Sequence, residues 1–243
     1  MATGSGQAQA VLGEAALLHL DNHILVLDKP AGLLSQAATA GDDNILDRAK
    51  EFIRLKFDKP GNVYLGLVHR LDRNVSGLMI FARTSKAAAR LSKAFAGREV
   101  EKRYLALVDK AVDGGGTLKH RLAKNPAGRG VVEAADGKHA ALSYEVLAKN
   151  GSRSLLEVEL HTGRKHQIRA QLSWAGMPLL GDPLYGESVP AMRRPALLAA
   201  RLRFKHPVKD DTLTFRATLP GDLERALESE GFLAAGLSAL RVK

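Results

Sequence analysis

The chain has 243 residues, 45% of them hydrophobic, and 36 Lys plus Arg against 26 Asp plus Glu leave a net charge of +10 and a pI near 9.9. No apolar run reaches the roughly 18 residues of a membrane span, the opening residues lack the basic stretch of a targeting peptide, and the absence of cysteine excludes disulfides, thiolate nucleophiles and cysteine-based zinc sites. The composition predicts a cytoplasmic globular protein without a membrane partner, and the basic surplus points to a polyanion, with nucleic acid the first candidate.

In chain order, residues 1–18 read as a flexible small-residue tail. His23 to Leu27 follows as a short buried strand, closed by the turn Lys29-Pro30-Ala31-Gly32. A helix capped by Asp43 or Asn44 carries Ile45, Leu46, Ala49, Phe52 and Ile53 at helical spacing. Val63 to Val68 and Leu78 to Ala82 read as strands covered on two faces. Thr84 caps a second helix that turns Ala87, Leu91, Ala94 and Phe95 inward and ends at Gly97.

Beyond Gly97 the pattern is mostly strand: Tyr104 to Val108, Ala141 to Leu147 and Leu155 to Leu160, with 112–139 a long basic excursion of loop. Thr162 is placed to cap a helix with Ile168, Leu172 and Ala175 inward, before the turn residues Gly181 to Gly186. Leu197 to Phe204 and Thr212 to Ala217 pair as a hairpin, and a helix begins near Asp222. Strands that outnumber helices without alternating with them predict an α+β fold with a mixed, mostly antiparallel sheet flanked by helices and loops. Neither GxGxxG nor GxxxxGK[ST] occurs, so no nucleotide cofactor has a signature here.

Three constellations carry chemistry. His69 to Gly77 packs four ionisable side chains into five residues between two apolar runs, with Asp72 either an ion-pair partner of Arg70 or Arg73 or a reactive carboxylate facing a cleft. Thr162 to Arg169 crowds cations at a helix start that already favours anions, and Arg169, at the edge of the apolar stripe, wants a carboxylate, for which Asp72 is the candidate. Tyr104 heads an apolar strand just after the basic Lys102-Arg103, as a core residue or as a stacking platform for an unpaired base.

The segment His69 to Gly77 resembles the HRLDxxTSG signature of the RluA-type RNA pseudouridine synthases. Asp28 to Gly32 is similar to that family's NKPxG segment, Lys102 to Val108 to its KxYxAxV strand, Gly163 to Arg169 to its GRxHQIR helix, Gly181 to Gly186 to its GDxxYG turn, and His206-Pro207 to its late HP pair. The motifs follow in the family's order across residues 20–220. The resemblance implies a pseudouridine synthase fold with a central catalytic cleft, and an isomerase that converts uridine in tRNA or rRNA to pseudouridine with no cofactor and no metal.

It also implies roles. Asp72 is the essential carboxylate, acting on the ribose as nucleophile at the anomeric carbon or as the base that leads to a glycal. Arg169 holds that carboxylate charged, and Tyr104 lies against the target uracil. Arg70 fills the stack vacated by the extruded base, and Arg164, Lys165 and His166 grip the RNA backbone, while Lys29 borders the site or pairs with Asp28 or Asp21. Val75, Gln171 and Leu198 stand where the family usually has Thr, His and His, which bears on target preference and packing rather than on the reaction.

The expected organisation is one catalytic domain over 19–243, monomeric, without the family's N-terminal accessory domain. The rival readings are a non-catalytic RNA-binding protein on the same fold and a metal hydrolase using His69, His161 and His166.

Overall fold

The computed structural model describes residues 3–187, 189–190 and 192–241. The chain's contacts sort into two compact units: one formed up to Val100 together with Phe204–Phe215, the other by Glu101–Arg203 and the chain from Arg216 onward.

The first unit opens with a correction. The expected tail contains helix α1 (Thr3–Leu12) and the start of strand β1 (Ala16–Leu20). Ala8 and Leu12 are buried, and Arg48 donates to the Leu12 carbonyl at 3.4 Å. Ala8, with Val11 and Leu12, gives α1 an apolar contact strip that its glycines conceal in a propensity reading. β1 pairs antiparallel with β2 (Ile24–Lys29), all six of whose residues are buried. The Asp21 carboxylate closes their turn by accepting the His23 and Ile24 N–H groups at 2.8 and 2.9 Å.

Helix α2 (Ile45–Lys56) begins as read, with the Asn44 side chain accepting the Asp47 N–H. β3 is a correction, because within Val63 to Val68 only Gly66–Leu67 pairs, opposite Ala82 and Phe81 of β4 (Ser76–Ala82). Further along, His69 Nε2 accepts the Ile80 N–H at 3.0 Å, taking the hydrogen bond a strand carbonyl would otherwise supply. The other edge of β4 is paired with β2 from Ile24↔Ala82 to Lys29↔Gly77. Helix α3 (Ser85–Ala96) carries its Thr84 cap as expected, with Ala87 and Leu91 buried, while Ala94 and Phe95 are only half-buried.

The second unit is built on antiparallel strands β5 (Glu101–Val108), β6 (Gly116–Lys124), β7 (Val131–Glu133), β8 (Lys138–Lys149), β9 (Ser154–Leu160) and β10 (Leu197–Lys205), in the order β10-β5-β9-β8-β6-β7. The long loop expected over 112–139 is therefore mostly the β6–β7 hairpin. Its charges hid it: Lys119 and Arg121 are exposed, while Leu118, His120 and Leu122 alternate with them on a face where Leu122 is buried.

Helix α4 (Gln167–Trp174) packs against β6, and its residues 167–172 are all buried. Ala175 lies exposed beyond its end rather than inward. β11 (Thr212–Arg216) pairs with β10 as the expected hairpin, and α5 (Gly221–Ser229) is followed, after Gly231 at φ 75°, by the unforeseen α6 (Leu233–Leu240). Antiparallel pairing with flanking helices agrees with the α+β class read from the sequence.

Candidate active site

Asp72 stands in the loop between β3 and β4, and the loop is fastened from below. The Lys29 side chain is fully buried at the end of β2, and its ammonium donates to the carbonyls of Pro30 at 2.8 Å, Leu33 at 2.8 Å and Arg73 at 3.2 Å. One buried cation thus ties the 30–33 turn to the residue after Asp72, a link the sequence reading left between site-bordering and carboxylate pairing. Around it, Gly32 N–H donates to Arg73 O at 2.9 Å and Arg73 Nε returns to Gly32 O at 2.9 Å. Gly32 sits at φ 87°, where an L side chain would be strained.

Ser35 clamps the other flank, donating to Leu71 O at 2.6 Å while its oxygen accepts Leu71 N–H at 3.0 Å. Val75 N–H closes a tight turn on Asp72 O at 3.1 Å, and the His69 ring stacks on Phe95 with centroids 4.8 Å apart. The carboxylate-bearing residue is half-buried, and Leu71 and Val75 on either side are buried. Arg70 is exposed, and the Arg73 guanidinium is turned to the Gly32 carbonyl.

In the second unit, Tyr104 is buried on β5, between Val158 of β9 and Ala199 of β10. Arg169 lies on α4, and within this unit its carboxylate is Asp182, a residue the sequence reading treated only as part of a turn. Nε reaches Asp182 Oδ2 at 2.7 Å and Nη2 reaches Oδ1 at 2.8 Å, a bidentate pair with Asp182 wholly buried. Asp182 Oδ1 also accepts the N–H groups of Leu184 and Tyr185 at 3.0 and 3.3 Å, which folds the turn back so that the Tyr185 ring lies 5.2 Å from the Arg169 guanidinium. Gly181 makes the turn possible: at φ 71°, a Cβ there would lie 2.2 Å from Met192 O.

The start of α4 differs from expectation. Its N-cap is His166, in the left-handed region at φ 52°, with no side-chain cap hydrogen bond. Thr162 instead donates to Gln167 Oε1 at 2.7 Å and accepts the Ala141 N–H at 2.9 Å, because four residues separate it from the first turn. Arg164 and Lys165 are exposed, with Arg164 Nε donating to His139 O at 3.1 Å, whereas His166 is half-buried and lies 3.1 Å from the Tyr185 hydroxyl. The three histidines of the metal reading are engaged elsewhere: His69 with Ile80 N–H and Phe95, His161 with the Ser143 hydroxyl at 3.0 Å, and His166 with Tyr185.

A family described as RNA pseudouridylate synthase matches residues 23–174, a span that contains both the fastened loop and the arginine helix. The chain belongs to that family. It is 34% identical over 243 residues to the ribosomal large subunit pseudouridine synthase D of Xanthomonas campestris, covering 91% of this chain and 72% of the relative. The corresponding protein of Zymomonas mobilis is 36% identical over 218 residues, covering 84% and 69%. Among solved structures, human RNA pseudouridylate synthase domain containing 4 shares the fold, with a TM-score of 0.72 at 24% identity, covering 99% of this chain and 98% of that one.

The chain is thus an RNA pseudouridine synthase, an isomerase acting on uridine in RNA. The synthase's three departures from the family pattern are all absorbed by its interior. Val75 and Leu198 are buried. Gln171, with no exposed surface, donates to His120 Nδ1 at 2.8 Å and to Leu118 O at 3.2 Å while its oxygen accepts from Gln167 at 2.9 Å, so it ties α4 to β6.

Proposed function

We propose that this synthase modifies uridine in large-subunit ribosomal RNA and that Asp72 is its essential catalytic carboxylate. The substrate class is supported by the relatives from Xanthomonas campestris and Zymomonas mobilis, which carry the name ribosomal large subunit pseudouridine synthase D. The role of Asp72 is supported above all by its setting: a half-buried carboxylate on a loop held at Leu71 by Ser35 and at Arg73 by Lys29. Fixing both neighbours removes conformational freedom from the reacting group before substrate arrives.

The reaction breaks the bond between uracil N1 and ribose C1′, turns the freed base, and forms a bond from C5 to C1′. The C5 proton is released and N1 takes one up, so atoms balance without oxidant, reductant or group donor, and the reaction needs no cofactor. Asp72 acts on the ribose, and Tyr104, buried on its strand, presents its ring to the uracil. Arg169, its guanidinium fixed by Asp182, supplies the stationary positive charge. Arg70, exposed beside Asp72, occupies the place of the extruded base, and Arg164, Lys165 and His166 hold the backbone around it. The synthase works as a cytoplasmic monomer.

The test is release of tritium from RNA labelled at uracil C5, comparing wild type with Asp72→Asn on large-subunit ribosomal RNA and on tRNA. The expected result is release by wild type from ribosomal RNA and none above background by the variant. Equal release by both proteins removes Asp72 from the chemistry, and release from tRNA alone overturns the substrate assignment.

A further inference from the structure

We propose that the end of β8, with the strand and loop on either side of it, forms a phosphate-binding ledge that docks the RNA substrate away from the reacting uridine. The inference rests on the reading of the protein as an RNA-modifying enzyme, and it adds Lys119, Arg121 and His139 to the residues expected to touch RNA.

The observation behind it is how the arginines of the second unit are spent. Arg103, Arg153, Arg169, Arg194 and Arg201 each hold a carboxylate, on Glu157, Glu230, Asp182, Asp222 and Glu101. Arg203 also reaches Glu101, whereas Arg121 and Arg164 are among the arginines that form no ion pair among the described residues, and they are held by backbone carbonyls instead. Arg121 Nη1 donates to Gly137 O at 2.8 Å and Arg164 Nε donates to His139 O at 3.1 Å. A backbone carbonyl fixes a guanidinium without neutralising it, so both cations are held in place and keep their full charge.

The two carbonyls are two residues apart where the chain enters β8, about 7 Å by the rise of a strand. That sets two guanidinium anchor points at a separation one nucleotide of sugar-phosphate backbone can span. The register adds more charge to the same place. Arg121 faces His139 across the β6–β8 ladder and Lys119 faces Ala141, so Lys119 and Arg121, two apart on β6, lie on the face that carries His139. Lys119, Arg121, Lys138, His139, Arg164 and Lys165 are all exposed. The nearest acids in sequence, Glu133 at the end of β7 and Asp136 on the β7–β8 connection, are exposed and form no ion pair with these cations among the described residues.

Anchored and unneutralised guanidinium groups beside free-ended lysines suit a polyanion with regularly spaced charge, and a nucleic acid backbone is such a ligand. Arg164 and Lys165 open the segment that leads into α4 and Arg169, so the ledge runs along the chain toward a residue of the reaction. Lys119 and Arg121 position RNA and touch no reacting atom.

The experiment measures affinity for a fluorescein-labelled stem-loop transcript of large-subunit ribosomal RNA, by anisotropy, in KCl from about 50 to about 200 mM. Three variants are compared with wild type: Lys119→Gln with Arg121→Gln, Arg121→Lys alone, and Lys56→Gln with Lys59→Gln at the end of α2, which removes the same net charge elsewhere. Each phosphate contact contributes about one unit of slope in log K against log salt. The ledge double variant is expected to lose about two units of slope and about tenfold in affinity near 100 mM salt. Arg121→Lys keeps the slope, because the charge stays while the bond to Gly137 goes, and the α2 pair leaves the slope at the wild-type value. A ledge variant with wild-type slope overturns the inference and leaves this surface to an acidic protein. An equal loss in the α2 pair also overturns it, since net charge alone would then account for the effect. Failure of the wild type itself to bind the transcript refutes the ribosomal RNA reading as well.

Discussion

Replacing Asp182 by asparagine isolates what the buried ion pair on α4 contributes. The carboxylate has no exposed surface and takes four hydrogen bonds, two from Arg169 and two from the backbone of its own turn. An asparagine keeps one carbonyl oxygen, enough for Leu184, Tyr185 and one guanidinium N–H, but it sets an amide N–H₂ against Arg169 Nε–H and removes the carboxylate charge of this pair. Breaking a buried pair on one side costs roughly 3–5 kcal/mol, and the retained oxygen places this case at the lower end, near 3 kcal/mol. Trp174, the sole tryptophan, lies at the end of the same helix, so its fluorescence during urea unfolding reports on the element concerned. With a urea dependence of about 1–3 kcal/mol per molar, the midpoint falls by about 1 M or more. A loss below about 1 kcal/mol would show that Asp182 is not the group that holds Arg169, and the account of how that guanidinium is fixed would fail with it.

Other outcomes follow from the first unit. Lys29→Met removes the ammonium from three carbonyls in a buried site, at an expected cost of about 3 kcal/mol or more in thermal unfolding; a change within about 0.5 kcal/mol would mean that solvent or backbone movement satisfies those carbonyls without it. Asp21 should make that unit sensitive to acid. Partial burial raises its pKa, but the N–H groups of His23 and Ile24, with His19 and His206 beside them, outweigh that and hold it well below the usual carboxylate range. A depressed folded-state pKa contributes stability that is complete above the unfolded value of about 3.9 and is lost as pH falls below it. Asp21→Asn should therefore flatten the decline in melting temperature below about pH 4, and an unchanged decline would assign the acid limb to other carboxylates.

How much of this was legible depended on whether a residue's partner was near in sequence. Asn44 and Thr84 announce their helices because a cap acts three residues away, and both caps were found where they were read. β4 stood out because both its faces are buried and its seven residues are nearly all apolar. β6 did not, because one of its faces carries Lys119 and Arg121, and only the register with β8 shows that the other is interior. Asp182 as a partner of Arg169 was missed for a related reason. Gly181-Asp182-Pro183 has the composition of any turn, and nothing in it reveals that the aspartate points inward to a helix thirteen residues earlier. The signal available was the buried arginine itself, whose demand for a carboxylate was assigned to Asp72 with no second acid considered. Lys29 was harder still, since three of its partners are backbone carbonyls, which every sequence supplies at every position.

The alternation along β6 also limits how this chain can lengthen or shorten. Adding or deleting one residue between Gly116 and Lys124 would exchange the two faces beyond that point, pushing lysine or arginine under α4 and Leu118 or Leu122 into water. Length variation is free only in the exposed turn from Pro126 to Arg129, where the strands on either side keep their register whatever the turn contains. Insertions among natural variants of this chain should therefore cluster at that tip, and those that do enter the strand should come in even numbers.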